Sequence, residues 1–186
     1  MGRRSIARSI VITAIAYLPT ESSPIILSDM LMSRARSKHA VEAVYLPSIG
    51  FLKGVEEHVG AKLSFDVTRL ARKPFAINER LYAAWAGGTT AGEKVRSELI
   101  ALTGAGLQPQ EAFDEAIAKL DIAEQQSLAV IAVCFPVSWD ADVPQCDQIQ
   151  VFTHQCIEFK STLWGTCYFG GSGGQALRVE SAASIS

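Results

Sequence analysis

Cysteine, histidine and a glycine-rich segment are the first places to look for chemistry in this sequence. The cysteines stand at positions 134, 146, 156 and 167. Zinc and redox motifs set two thiols two to four residues apart, and no pair here stands so close. They read as unpaired cytosolic thiols, with Cys134 buried in a strand. His39, His58 and His154 are scattered without metal-ligand spacing and read as surface or loop residues. Gly170-Gly171-Ser172-Gly173-Gly174 follows a strand and precedes a helix start, where backbone N–H groups could hold an anion. It lacks the Lys-Ser/Thr ending of a phosphate loop and does not fit the G-x-G-x-x-G order. The sequence therefore gives no ground for a metal or a cofactor.

The elements that must position any site can be read from apolar periodicity. Residues 9–17 form a β-branched run, with Ile10, Val11, Ile12, Thr13 and Ile15, and predict a buried strand. Pro24 to Ser28 predicts a second strand, and the polar connection between them predicts a hairpin. Glu42 to Leu46 and Lys62 to Val67 predict short strands, and Gly50 to Val59 a weak helix ended by Gly60. Pro74 to Ile77 and Leu81 to Ala86 flank Asn78-Glu79-Arg80 and predict another hairpin, ended by Gly87-Gly88. Thr89 or Thr90 can cap a helix, with Glu93 near its positive end. Val95, Leu99 and Leu102 give its apolar stripe, and it stops at Gly104-Ala105-Gly106.

Gln108 to Gln126 predicts a second helix, with Pro109 near its start and Phe113, Ile117 and Leu120 as its stripe. Leu128 to Val137 has no polar side chain and predicts a central buried strand. Ile149 to Thr153 and Cys156 to Phe159 predict a hairpin, Trp164 to Phe169 a strand, and Gln175 to Ala183 a last helix start. Trp85, Trp139 and Trp164 lie in or beside apolar runs and read as core or interface residues. Runs of strands and helices without strict alternation predict an α+β fold with antiparallel sheets.

The chain has 186 residues, 48% of them hydrophobic and 19% charged, which fits one ordered domain. A net charge of −2 argues against a general nucleic-acid binder, which needs a basic excess. Arg3, Arg4 and Arg8 read as a solvated basic tail over residues 1–8. Pro19 to Pro24 lacks the small-x-small pattern of a cleaved signal. No apolar run reaches membrane-spanning length. The expected location is cytoplasmic.

Three segments resemble the proteasome-subunit-like family of N-terminal-nucleophile hydrolases. Pro24-Ile25-Ile26-Leu27-Ser28-Asp29, followed by Ser33, resembles the family's second strand with its terminal aspartate. Arg72-Lys73-Pro74-Phe75-Ala76-Ile77, followed by Leu81 to Gly88, resembles its lysine-led hairpin with a glycine pair. Phe169 to Gly174 is similar to its Gly-Ser-Gly segment. The resemblance covers about residues 10–33 and 72–180 and implies a four-layer αββα sandwich. It leaves 34–71 as an inserted segment within one domain, and leads us to expect that the family's last helix and closing strands are missing.

The resemblance also implies a site. Thr13 would be the nucleophile once exposed at a chain start, its own α-amine serving as base. Lys73 would hold the nucleophile's field positive, Asp29 would pair with it, a Gly87 N–H would stabilise the oxyanion, and Ser172 would support them. Ser9 is the alternative nucleophile. The implied activity is threonine-type hydrolysis of a peptide or amide, in a homo-oligomer or proteasome-like assembly. The alternative is a non-catalytic structural or interaction subunit that keeps the fold.

Overall fold

A computed structural model describes residues 14–19, 24–29, 31–35, 43–46, 50–53, 65–70, 72–137, 148–162 and 165–173. Its strands are β1 (Ile15–Pro19), β2 (Pro24–Ser28), β3 (Leu31–Ala35), β4 (Ala43–Leu46), β5 (Gly50–Lys53), β6 (Phe65–Leu70), β7 (Pro74–Ala76) and β8 (Leu81–Gly87). Three helices follow, α1 (Thr89–Gly104), α2 (Pro109–Ala118) and α3 (Ile122–Ser127). The chain closes with β9 (Leu128–Cys134), β10 (Gln150–His154), β11 (Cys156–Ser161) and β12 (Gly165–Gly170). The fold is α+β, with antiparallel sheets. Residues 138–147 and 174–186, which include Trp139, Cys146 and the expected last helix, lie outside the described residues, as do Trp164, His39 and His58.

Two compact units partition the chain, one containing β3 to β6 and the other containing β1, β2 and everything from Arg72 onward. In the first, β3 pairs with β6, with a register shift between Met32 and Ser33. Gly50–Lys53 is a strand, not the expected helix: it pairs with β4 from Leu46↔Gly50 to Ala43↔Lys53. Val44, Tyr45 and Phe51 are residue types that favour strands, and ladder pairing overrides the weak helical pattern. The strand expected over 62–67 is β6, starting three residues later at Phe65.

The second unit holds two four-stranded antiparallel sheets, in orders β11-β12-β1-β2 and β10-β9-β8-β7. The hairpin expected between 9–17 and 24–28 corresponds to the β1–β2 pair, in register from Ile15↔Ser28 to Pro19↔Pro24. β1 runs two residues into the expected turn, and residues 9–13 of the expected strand lie outside the described residues. The Asn78 turn joins β7 to β8, its Oδ1 accepting the N–H groups of Arg80 and Leu81. All seven residues of β9 are buried, as their apolar run requires. The strand stops at Cys134 rather than Val137: the Phe135 N–H still reaches the Arg80 carbonyl, but Pro136 has no N–H to carry the ladder further.

The expected pairing of 149–153 with 156–159 is not formed. β10 pairs with β9 in one sheet, and β11 pairs with β12 in the other. The single residue between them, Gln155, has φ +52°, so the chain changes sheet there instead of folding back.

Ile15 and Tyr17 of β1 meet Ala84, Ala86, Ala129, Ile131 and Val133 in one buried cluster, which joins the two sheets face to face. Successive strand residues point to opposite faces, so Trp85 lies on the side of β8 away from this cluster, under α1. Val95, Leu99 and Leu102 bury the expected stripe of α1. The Phe113 ring sits 5.9 Å from that of Phe152 and seats α2 on β10. The helix expected over 108–126 is broken in two. Asp121 accepts the Glu124 N–H and Glu124 accepts the Asp121 N–H, a reciprocal cap that starts α3.

Candidate active site

The β1–β2 ladder ends at Asp29. Its backbone N–H donates to the Ala14 carbonyl at 3.0 Å, and its carboxylate Oδ2 accepts the Ala14 N–H at 2.7 Å. A strand-end aspartate ordinarily serves a turn; this one grips the residue that follows Thr13. Thr13 and Ser9 lie outside the described residues.

Lys73 opens β7, where a lysine is usually solvated. Here it is fully buried. Its Nζ donates to Asp29 Oδ1 and stands 5.7 Å from the centre of the Trp85 ring. An isolated buried ammonium is costly, and the carboxylate and the indole face together offset that cost. Lys73 and Asp29, 44 positions apart in the chain, are thus brought together. Trp85, which the sequence presents only as a core or interface residue, is the third member of the cluster. The signal that could have found it is hairpin geometry: β7 pairs Pro74 with Ala84, which sets Lys73 and Trp85 one step beyond that pair.

Gly87 lies two residues past Trp85, at the end of β8. Its φ is +114°, and a Cβ there would meet the Ser127 carbonyl oxygen at 1.9 Å. Only glycine fits this close approach. Gly88 donates its N–H to the same carbonyl at 3.2 Å and is the N-cap of α1, without a side-chain cap. The expected cap at Thr89 or Thr90 is therefore displaced by one or two residues. Glu93 falls beyond the first turn and faces Arg96 at 3.5 Å instead. Ser172 is exposed in the turn that follows β12.

No family model matches the sequence, and no curated protein matches it. Several chains among solved structures are similar to it. The crystal structure of eukaryotic HslV from Trypanosoma brucei aligns with 93% of this chain and 79% of its own, at 18% identity and a TM-score of 0.48.

Other reactive groups lie elsewhere. Cys134, Cys156 and Cys167 are free thiols. Burial pushes the Cys156 thiol up to about 12, against weaker opposing hydrogen bonds from its Sγ to the carbonyls of His154 and Val130. Burial also raises Cys134 and Cys167, so none of the three is an activated nucleophile. His154 ends β10 rather than a loop, and its Nε2 meets the Gln125 carbonyl at 2.9 Å, which makes that nitrogen the donor. Among the described residues no group of three His, Cys, Asp or Glu is placed to hold a metal, and no helix is long and apolar enough to cross a membrane. A cleft of about 920 Å³ opens between Pro24, Ile26, Phe75, Tyr82 and Phe135, with Arg72 and Arg80 on its walls; neither Lys73 nor Asp29 lines it.

Proposed function

We propose that this chain is a proteasome-like N-terminal-nucleophile hydrolase domain, acting as a threonine-type peptidase or amidohydrolase once Thr13 carries a free α-amine. The observation that carries the reading is the Lys73–Asp29 pair, held against the backbone of Ala14, the residue after Thr13. A buried cation beside a nucleophile favours its ionised form, and a carboxylate gripping the next peptide unit fixes its direction. The free amine would take the hydroxyl proton as the oxygen attacks an amide carbonyl, and a Gly87 N–H would stabilise the oxyanion. Ser172 would support the nucleophile from the turn after β12.

The same reading makes the chain one αββα sandwich with 34–71 inserted. Its subunits would assemble as a homo-oligomer or a proteasome-like particle in the cytoplasm. The two packed sheets and the helices over β8 and β9 support three of the four layers.

One sequence feature favours the second reading, a non-catalytic structural or interaction subunit. Ile12 precedes Thr13, and a β-branched residue fits poorly into the strained turn that self-cleavage uses. Intact mass and N-terminal sequencing of the native protein decide between the two. A chain starting at Thr13 supports the hydrolase, and one starting at Ser9 moves the nucleophile but keeps the mechanism. A chain retaining Met1 or Gly2 leaves the structural role.

A further inference from the structure

We infer that Trp85 is a positioning residue of this site. Its indole face holds the Lys73 ammonium against Asp29 and, through Asp29, sets the N–H of Ala14. For catalysis this rests on the reading of Lys73 and Asp29 given above; the contacts themselves do not.

A lysine ammonium carries three donors and needs more than one acceptor when buried. Asp29 Oδ1 takes one. Among the described residues the Trp85 ring also faces Nζ, at 5.7 Å, within the range of a cation–π contact. The ring cannot drift from this position. It is 1% exposed, and the helix above it carries Gly92, where an added Cβ would come within 2.3 Å of the indole.

Packing alone does not account for an indole here. Its Nε1–H is buried with no hydrogen-bond partner among the described residues. That orphaned donor is a cost a phenyl or aliphatic group would not incur. Tryptophan offers the strongest aromatic face to a cation, and the cation is present. The chain of contact is then Trp85 ring to Lys73 Nζ, Lys73 to Asp29 Oδ1, and Asp29 Oδ2 to Ala14 N–H.

The test reads the Ala14 amide by NMR, with no substrate involved. Trp85→Phe keeps an aromatic face and removes the indole N–H; Trp85→Leu removes the face. Trp85→Phe, with a weaker face, should change the Ala14 proton shift and exchange rate clearly less than Trp85→Leu does. Trp85→Leu should move that proton upfield and speed its exchange about tenfold relative to Ile131, a core amide that corrects for global stability. If Trp85→Leu does not fold, Trp85→Met takes its place. An Ala14 amide unmoved by loss of the face overturns the proposal, as does an equal effect from Trp85→Phe. In a processed chain that hydrolyses peptides, Trp85→Leu should lower kcat with KM little changed. A processed chain that hydrolyses nothing counts against the hydrolase alone and leaves the Ala14 result standing.

Discussion

Asp29 binds Ala14 twice, its side chain accepting the Ala14 N–H at 2.7 Å while its own N–H donates to the Ala14 carbonyl at 3.0 Å. One carboxylate therefore closes a ladder with one oxygen and neutralises a buried lysine with the other. That double duty makes the pair asymmetric, and the asymmetry can be measured.

Removing Asp29 strands a fully buried ammonium, whereas removing Lys73 leaves a carboxylate that is 22% exposed and still hydrogen-bonded to Ala14. Asp29→Ala should cost roughly 3–5 kcal/mol, and Lys73→Met clearly less, because methionine fills the lysine's volume without a charge. Urea unfolding of both variants checks the order; equal losses would contradict it.

Two glycines of α1 should respond in opposite directions to the same change. Gly92→Ala drives a methyl into the Trp85 ring and should destabilise by about 1–3 kcal/mol. Gly104→Ala meets nothing within 4 Å and should stabilise by roughly 0.5–1 kcal/mol through helix propensity. Paired thermal melts test both.

Cys156 should resist alkylation. With its thiol near 12, the thiolate fraction at pH 8 is on the order of 10⁻⁴. Iodoacetamide followed by peptide mapping should label it only after unfolding. The linkage has a definite sign. The folded value lies above the ordinary thiol value of 9, so the unfolded chain releases this proton first. The contribution is complete below about pH 9 and is lost as pH rises from there towards 12. Alkaline unfolding curves of the wild type and Cys156→Ala should therefore converge over that interval.

Asp121→Ala removes one half of the reciprocal cap that starts α3 and should cost about 0.5–2 kcal/mol by urea unfolding. Asp121→Ser, which keeps an acceptor, should recover most of it.

Local pattern made most of the second unit legible. The apolar run of β9, the β7–β8 hairpin around Asn78 and the stripe of α1 all follow from residues close in sequence. The break before α3 was missed by the expectation of one helix over 108–126, although Asp121 and Glu124 stand at capping-box spacing. What stayed hidden depends on distant partners. A short polar link reads the same whether the chain reverses or changes sheet, and at Gln155 only the pairing partners differ. The position of Lys73 could be read, but its burial could not, because the groups that allow it come from β8 and from the end of β2. Trp85 was legible as apolar and buried; its ammonium neighbour was not.

The first sheet of the second unit is stitched from widely separated parts of the chain: β1 lies between β2 and β12, with Ile15 opposite Gly170. The other sheet uses only strands between Pro74 and His154. During synthesis, then, the β7–β10 sheet can assemble while β12 is still inside the ribosome. Through that interval β1 has a partner on one side only, its other edge open to a neighbouring nascent chain. The slow, long-range step is thus left until last, and it is the same step that completes the sheet around Ala14 and Asp29.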